Sequence, residues 1–212
     1  MMKELKIRLV LLIIGSILMG IGVVLATVTQ MGADSVALLW EGVHIRFHIS
    51  LGMANYVFTG FFLILVLLID RKQVGIGTIL SPLIQGMVMD MIIRFIPQFD
   101  SFFIRLSVMI IGIIILAIGS GISAAANLGK SPYVGFTFAI NKRYNYSITF
   151  SRVILDALCL ILGLLLGARL SIGPIISVFI IGPITALSFR KISEIYNFKE
   201  LNAIEHDTTL RD

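Results

Sequence analysis

The chain has 212 residues, of which 58% are hydrophobic and 14% charged, with a mean hydropathy of +1.00 and a formal net charge of +5. Soluble domains carry roughly a quarter charged residues, so this composition excludes an ordinary soluble fold. The basic residues sit at the ends of apolar runs and do not form one patch interleaved with aromatics, which excludes a nucleic-acid partner and predicts a chain threaded through a lipid bilayer.

In chain order, Lys3, Lys6 and Arg8 precede an uncharged run from Leu9 to Val28. At about 1.5 Å per residue the run spans a hydrocarbon core of roughly 30 Å. Its length exceeds a signal-peptide core, so it is expected to be retained. Gly32-Ala-Asp34-Ser35 then breaks the run, and a short helix is expected from Ser35 to about Glu41. Val43, Ile45, Phe47 and Ile49 alternate with polar positions and predict extended chain, in which His44 and His48 lie too far apart to share a metal ion. Leu51 to Ile69 and Gly75 to Ile93 are the next expected spans. The second carries Asp90 and Arg94, expected to pair at its end, and Gln85, expected to bond a neighbouring helix.

Leu106 to Leu128 is uncharged, and Gly129-Lys130-Ser131-Pro132 repeats the break before a second short helix from Pro132 to about Asn141. Ser151 to Ala168, with Arg152 and Asp156, and Leu170 to Phe189 complete six expected spans. Cys159, the single cysteine, lies inside an apolar run, so neither a disulfide framework nor a thiolate metal cluster is available.

Two halves share one pattern. Placing Arg8 on Arg105, an offset of 97, also places Gly15 on Gly112, Gly22 on Gly119, Gly32 on Gly129 and Ser50 on Ser147. An offset of 96 places Gly77 on Gly173 and Gly86 on Gly182. The predicted organisation is a first membrane repeat over 1–98, a second over 99–191 and a charged cytoplasmic tail over 192–212. The short helices reach only about 10 to 15 Å and do not cross. Each repeat therefore crosses three times, and the two are inverted relative to one another. With the N-terminus inside, thirteen of the seventeen Lys and Arg fall on the cytoplasmic side, so both ends are expected there. The fold class expected is an all-α polytopic membrane protein of six transmembrane helices, two short non-spanning helices and two inverted-topology repeats.

The order of these features resembles the YczE/YyaS/YitT family of bacterial integral membrane proteins over about Arg8 to Arg190. The residues carrying the resemblance are Gly32, Gly75-Ile-Gly-Thr78 and Gly86, then Leu128-Gly-Lys-Ser-Pro132, Arg152 with Asp156, Gly163, Gly167, Gly173 and Gly182-Pro183. Gly173-Pro174 stands where the family pattern reads Gly-Thr. The resemblance implies a bacterial plasma-membrane protein of largely unassigned activity.

Two groups of residues are candidates for binding. The breaks, Gly32, Asp34 and Ser35 with Gly129, Lys130, Ser131 and Pro132, present helix N-termini of the kind that attract anions, although an ordinary capped turn accounts for the same residues. Arg152 and Asp156 share one helix face, either as a self-neutralising pair near the surface or as charges lining a cavity, and Asn55 takes the place of Arg152 in the first half. Gly15, Gly22, Gly112 and Gly119 are expected to allow close helix packing. No nucleophile motif or phosphate loop occurs, so neither an enzyme nor a cofactor is expected. The leading expectation is a carrier of a small solute, with anions favoured, between the two repeats. The alternative is a non-transporting protein that binds or regulates another membrane protein or assembly. Lipid, an unknown solute and a second copy or membrane-protein partner are the companions expected.

Overall fold

The computed structural model describes residues 2–71, 74–169 and 171–196. Among the described residues there are eight α-helices and no strand: α1 (Met2–Val28), α2 (Ser35–Phe47), α3 (Leu51–Ile69), α4 (Ile76–Ile92), α5 (Phe102–Ala125), α6 (Pro132–Tyr144), α7 (Ile148–Leu165) and α8 (Gly173–Tyr196). Four are long and apolar enough to cross a bilayer, namely Glu4–Val28 within α1, α3, α5 and α8, while α4 is a shorter apolar helix of 17 residues. The protein is a polytopic helical membrane protein. Large side chains such as Val10, Phe61, Leu68, Phe103 and Phe179 stand exposed on the outside of the bundle, as lipid contact requires.

The centre is α1 crossed by α5. A Cβ on Gly15 would lie 2.7 Å from the Gly119 carbonyl, and one on Gly22 2.6 Å from the Gly112 carbonyl. The lower-numbered glycine of one helix meets the higher-numbered glycine of the other, so the helices are antiparallel, and glycine permits backbone-to-backbone approach. Arg8 donates to the Ala126 carbonyl at 3.5 Å and Arg105 to the Thr29 carbonyl at 2.6 Å, so each helix supplies a guanidinium to a carbonyl at the C-terminal end of the other.

α4 lies parallel to α1: Leu12 faces Gly77, Ser16 donates to Ser81 at 2.7 Å, and Gly20 faces the Gln85 carbonyl. α8 lies parallel to α5, where Thr185 donates to the Ala117 carbonyl at 3.1 Å. The short helices pack across the halves. α2 runs beside α7, with Ser35 at Asp156 and Gly42 against Gly163. α6 runs beside α3, with Tyr133 on Phe58, Phe136 on Phe62 and Lys142 bridged to Asp70 at 3.0 Å.

Local backbone repeats at the 97-residue offset. Positive φ occurs at Gln30 and Asn127, at Gly32 and Gly129, and at His48 and Asn145. Ser50 caps Met53 as Ser147 caps Phe150.

Three expectations need correction. The short helices each run 13 residues, to Phe47 and Tyr144, and not to Glu41 and Asn141. Residues 43–47 are therefore helical and not extended. The His44 ring bonds the Ile49 carbonyl and closes the turn, as Asn141 does to the Tyr146 carbonyl. Period-two alternation loses its meaning where lipid and protein are both apolar. Asp90 does not pair with Arg94; it accepts from Ser50 Oγ at 2.6 Å and from the Gly52 amide at 2.8 Å, because the start of α3 offers oriented donors. α8 runs to Tyr196 and so includes Ile192–Tyr196, the first residues of the expected tail over 192–212, while 197–212 lie outside the described residues.

Candidate functional site

Both breaks are held by the opposite half. After α1, the chain turns at Gly32, with φ 75°, and the Met31 carbonyl accepts from the Gly173 amide at 2.8 Å. After α5 it turns at Gly129, with φ 117°, and the Leu128 carbonyl accepts from the Gly77 amide at 2.7 Å. The end of one helix and the N-termini of two others therefore meet at each break: α2 and α8 at the first, α4 and α6 at the second. A Cβ on Gly173 would lie 2.0 Å from the Gly32 carbonyl and one on Gly75 2.3 Å from the Leu128 carbonyl, so small residues are a condition of the junction.

The first junction gathers ionisable groups. Asp34 caps α2 by accepting from the Ala37 amide at 2.8 Å. Ser35 Oγ and the Tyr133 hydroxyl both donate to Asp156 Oδ1, at 2.8 and 2.7 Å, and Arg152 Nε lies 3.7 Å from Asp156 Oδ2. Four expected residues, Asp34, Ser35, Arg152 and Asp156, thus come together from α2 and α7, joined by Tyr133 from α6. Sequence reasoning missed Tyr133, although it directly follows Pro132 at the start of a helix. Ser171, whose buried hydroxyl has no partner, stands against Gly32 and was also missed.

Asn55 lies elsewhere. It is buried, donates to the Pro82 carbonyl at 3.0 Å and accepts from Thr59, tying α3 to α4 beside the proline. It belongs to neither break.

The second junction opens onto a cavity of about 510 Å³. Polar lining comes from Ser81, Ser120, Ser123, Asn127, Lys130 and Ser131, and Leu12, Met19 and Phe189 form apolar wall. Thr78 accepts from the Gly75 amide at 2.9 Å and donates to the Lys130 carbonyl at 2.7 Å, fixing the loop. Pro174 stands at the matching place in the second half and has no hydroxyl, so the first junction lacks this tie. The Lys130 ammonium rests over the Phe138 ring, 3.1 Å from its centroid. Burial pushes its pKa down to about 8, while nearby Asp70 pulls it up. Pro132 begins α6 and brings no amide donor. The described residues contain no group of three or more His, Cys, Asp or Glu placed to hold a metal.

A protein of Haemophilus influenzae strain Rd, described as an uncharacterized protein, is 22% identical over 178 residues, covering 84% of this chain and 81% of its own. No solved structure matches the chain. A family model matches residues 6–190, and the chain accordingly belongs to the family of unknown function DUF6198.

Proposed function

We propose that this protein is a carrier of a small solute in the bacterial plasma membrane, with both termini cytoplasmic and the solute held where the two halves meet. The resemblance to the YczE/YyaS/YitT proteins belongs to the same reading. The observation that supports it best is that each helix break is clasped by a helix N-terminus of the other half, through the Gly173 to Met31 and Gly77 to Leu128 hydrogen bonds. Discontinuous helices meeting at the interface of inverted halves are the arrangement that secondary carriers use for substrate. The proposed activity involves no covalent chemistry and no cofactor. Uptake into proteoliposomes, driven in turn by proton, sodium and solute gradients and screened with small organic anions, amines and sugars, tests it. Accumulation of one class, abolished by Gly173→Leu, is the expected result; no accumulation of any class sinks the proposal.

One observation favours the second reading, a protein that docks on another membrane protein. Gly86 on α4 is covered by Tyr56 of α3, yet its counterpart Gly182 on α8 has nothing within 4 Å and lies among exposed Ile175, Val178 and Phe179. Loss of a membrane partner after Gly182→Trp, with uptake unchanged, would support that role. The charged tail expected over 192–212 lies outside the described residues, apart from Ile192–Tyr196.

A further inference from the structure

The eight helices form two groups of four. α1, α4, α5 and α8 pack on one another around the central crossing, and α2, α3, α6 and α7 pack on one another through the α2–α7 and α3–α6 pairs. The groups meet mainly where α3 lies along α4, with a lesser contact of α2 on α1. At the α3–α4 contact Asn55 donates to the Pro82 carbonyl at 3.0 Å, the Tyr56 hydroxyl to the Leu83 carbonyl at 3.0 Å and the Gly52 amide to Asp90 at 2.8 Å, and Tyr56 covers Gly86.

The repeat sets α7 against α8 at the equivalent place, yet among the described residues α7 does not lie along α8. Gly52, Asn55, Pro82 and Gly86 are buried, whereas their counterparts Thr149, Arg152, Val178 and Gly182 are all exposed. The same asymmetry holds where the short helices approach the centre. Val23, Ala26, Ala33 and Ala37 are at most 2% exposed, and their counterparts Ser120, Ser123, Lys130 and Val134 line the cavity of about 510 Å³. One end of the molecule is shut between the two groups, and the other stands open both at α7–α8 and at the cavity. Glycine in the middle of a helix is unfavourable, and nothing in the present packing of α8 calls for it at Gly182; Gly86 shows what the position does when a helix closes on it.

We infer that the two groups rock against each other, and that a second arrangement of the protein is this one with the roles of the halves exchanged. In it α7 closes on α8 at Gly182 and α6 draws onto α5, filling the cavity, while α3 parts from α4 at Gly86. The four connections between the groups carry Gly32, Gly75, Gly129 and Gly167, three of them at positive φ, where a hinge can turn. Ala186 stands where the first half has Asp90, so the α7–α8 contact lacks the carboxylate that binds the start of α3, which accounts for the α3–α4 contact being the one present. With the N-terminus cytoplasmic, the present arrangement opens to the cytoplasm and the exchanged one to the exterior, so a solute between the halves meets each side in turn. The inference rests on the proposed carrier role and supplies its conformational cycle.

Because the Gly52 amide bonds the Asp90 carboxylate, the matching residues Thr149 and Ala186 come within disulfide range only in the exchanged arrangement. The test uses the full chain in lipid nanodiscs, carrying Thr149→Cys and Ala186→Cys in a Cys159→Ala background. Mild oxidation is expected to link the two cysteines within one chain, and to leave unlinked a Thr149→Cys, Ile175→Cys pair, in which the second cysteine is displaced by about three helical turns. In proteoliposomes the link should cut uptake roughly tenfold or more, and reduction should restore it. Gly182→Trp meets nothing in the present arrangement, so it should melt like the parent protein, prevent the link and cut uptake by a similar factor. Absence of the link, an equally efficient link at Ile175→Cys or in a folded Gly182→Trp, or a link between two chains overturns the inference. The expected link without uptake of any class of solute would refute the carrier role and leave the rocking motion standing. Uptake that is equal in the oxidised and reduced protein would overturn the motion and leave the carrier role standing.

Discussion

Gly173 and Gly75 have no room for even one methyl group, because the approaching atoms are backbone carbonyls that cannot rotate aside. We expect Gly173→Ala and Gly75→Ala each to lower stability by about 3 kcal/mol, measured by thermal melting in detergent. Gly182→Ala, at an open helix position, should instead be neutral or stabilising by up to about 1 kcal/mol. Equal losses at all three would refute the junction's steric origin. Asp90 and Asp156, each four residues from an arginine, have different work. Asp90 caps α3, so Asp90→Asn should cost about 1 kcal/mol of stability and leave uptake near normal. Asp156 joins α2, α6 and Arg152, so Asp156→Asn should reduce uptake roughly tenfold or more in a protein that still folds. Similar uptake for the two variants would remove Asp156 from the site. The residues here were legible as residue types, since capping and ion-pair spacings are local. Their convergence was not, because nothing in the spacing of Arg152 and Asp156 says that Ser35 and Tyr133, far away in sequence, will bond the same oxygen.

The helix breaks follow from signals that a sequence displays openly. Gly32 and Gly129 adopt positive φ, Asp34 caps, and Pro132 starts a helix. Removing the cap with Asp34→Ala should destabilise by about 1 to 3 kcal/mol, because the Ala37 amide then loses its partner. At the second break the charge on Lys130 sets a pH window. Its amine is protonated below a pKa of about 8 and neutral above it. Asp70, which faces it, is bridged to Lys142. Anion affinity at the cavity is therefore expected to be full below pH 7 and to fall as pH rises through about 8, a dependence that Lys130→Arg should abolish. Calorimetric titration between pH 6 and 9 checks both. Helix ends were the least legible part of the elements. The longer α2 depends on Gly42 sitting against Gly163 and on the His44 ring closing its last turn, and the first of these is a contact with the other half.

At the scale of the molecule, the 97-residue offset was readable because glycines in register mark backbone contacts, and Gly15, Gly22, Gly112 and Gly119 form the central crossing. The exchange of short helices between halves left no such mark. Positions His48 and Asn145, which share a left-handed conformation at the ends of α2 and α6, are expected on opposite faces of the membrane. Single cysteines introduced there in a Cys159→Ala background, probed with an impermeant maleimide on intact cells, check this; labelling of both would contradict the inverted arrangement. The pairing of α2 with α7 and of α6 with α3 also bears on biogenesis. A ribosome that has finished α4 has made a segment whose short helix still lacks its neighbour, so the first half must wait, incompletely docked, until α7 emerges. Severed in the connection between α4 and α5, neither fragment should survive quality control by itself, whereas simultaneous synthesis of both should restore a full-strength protein.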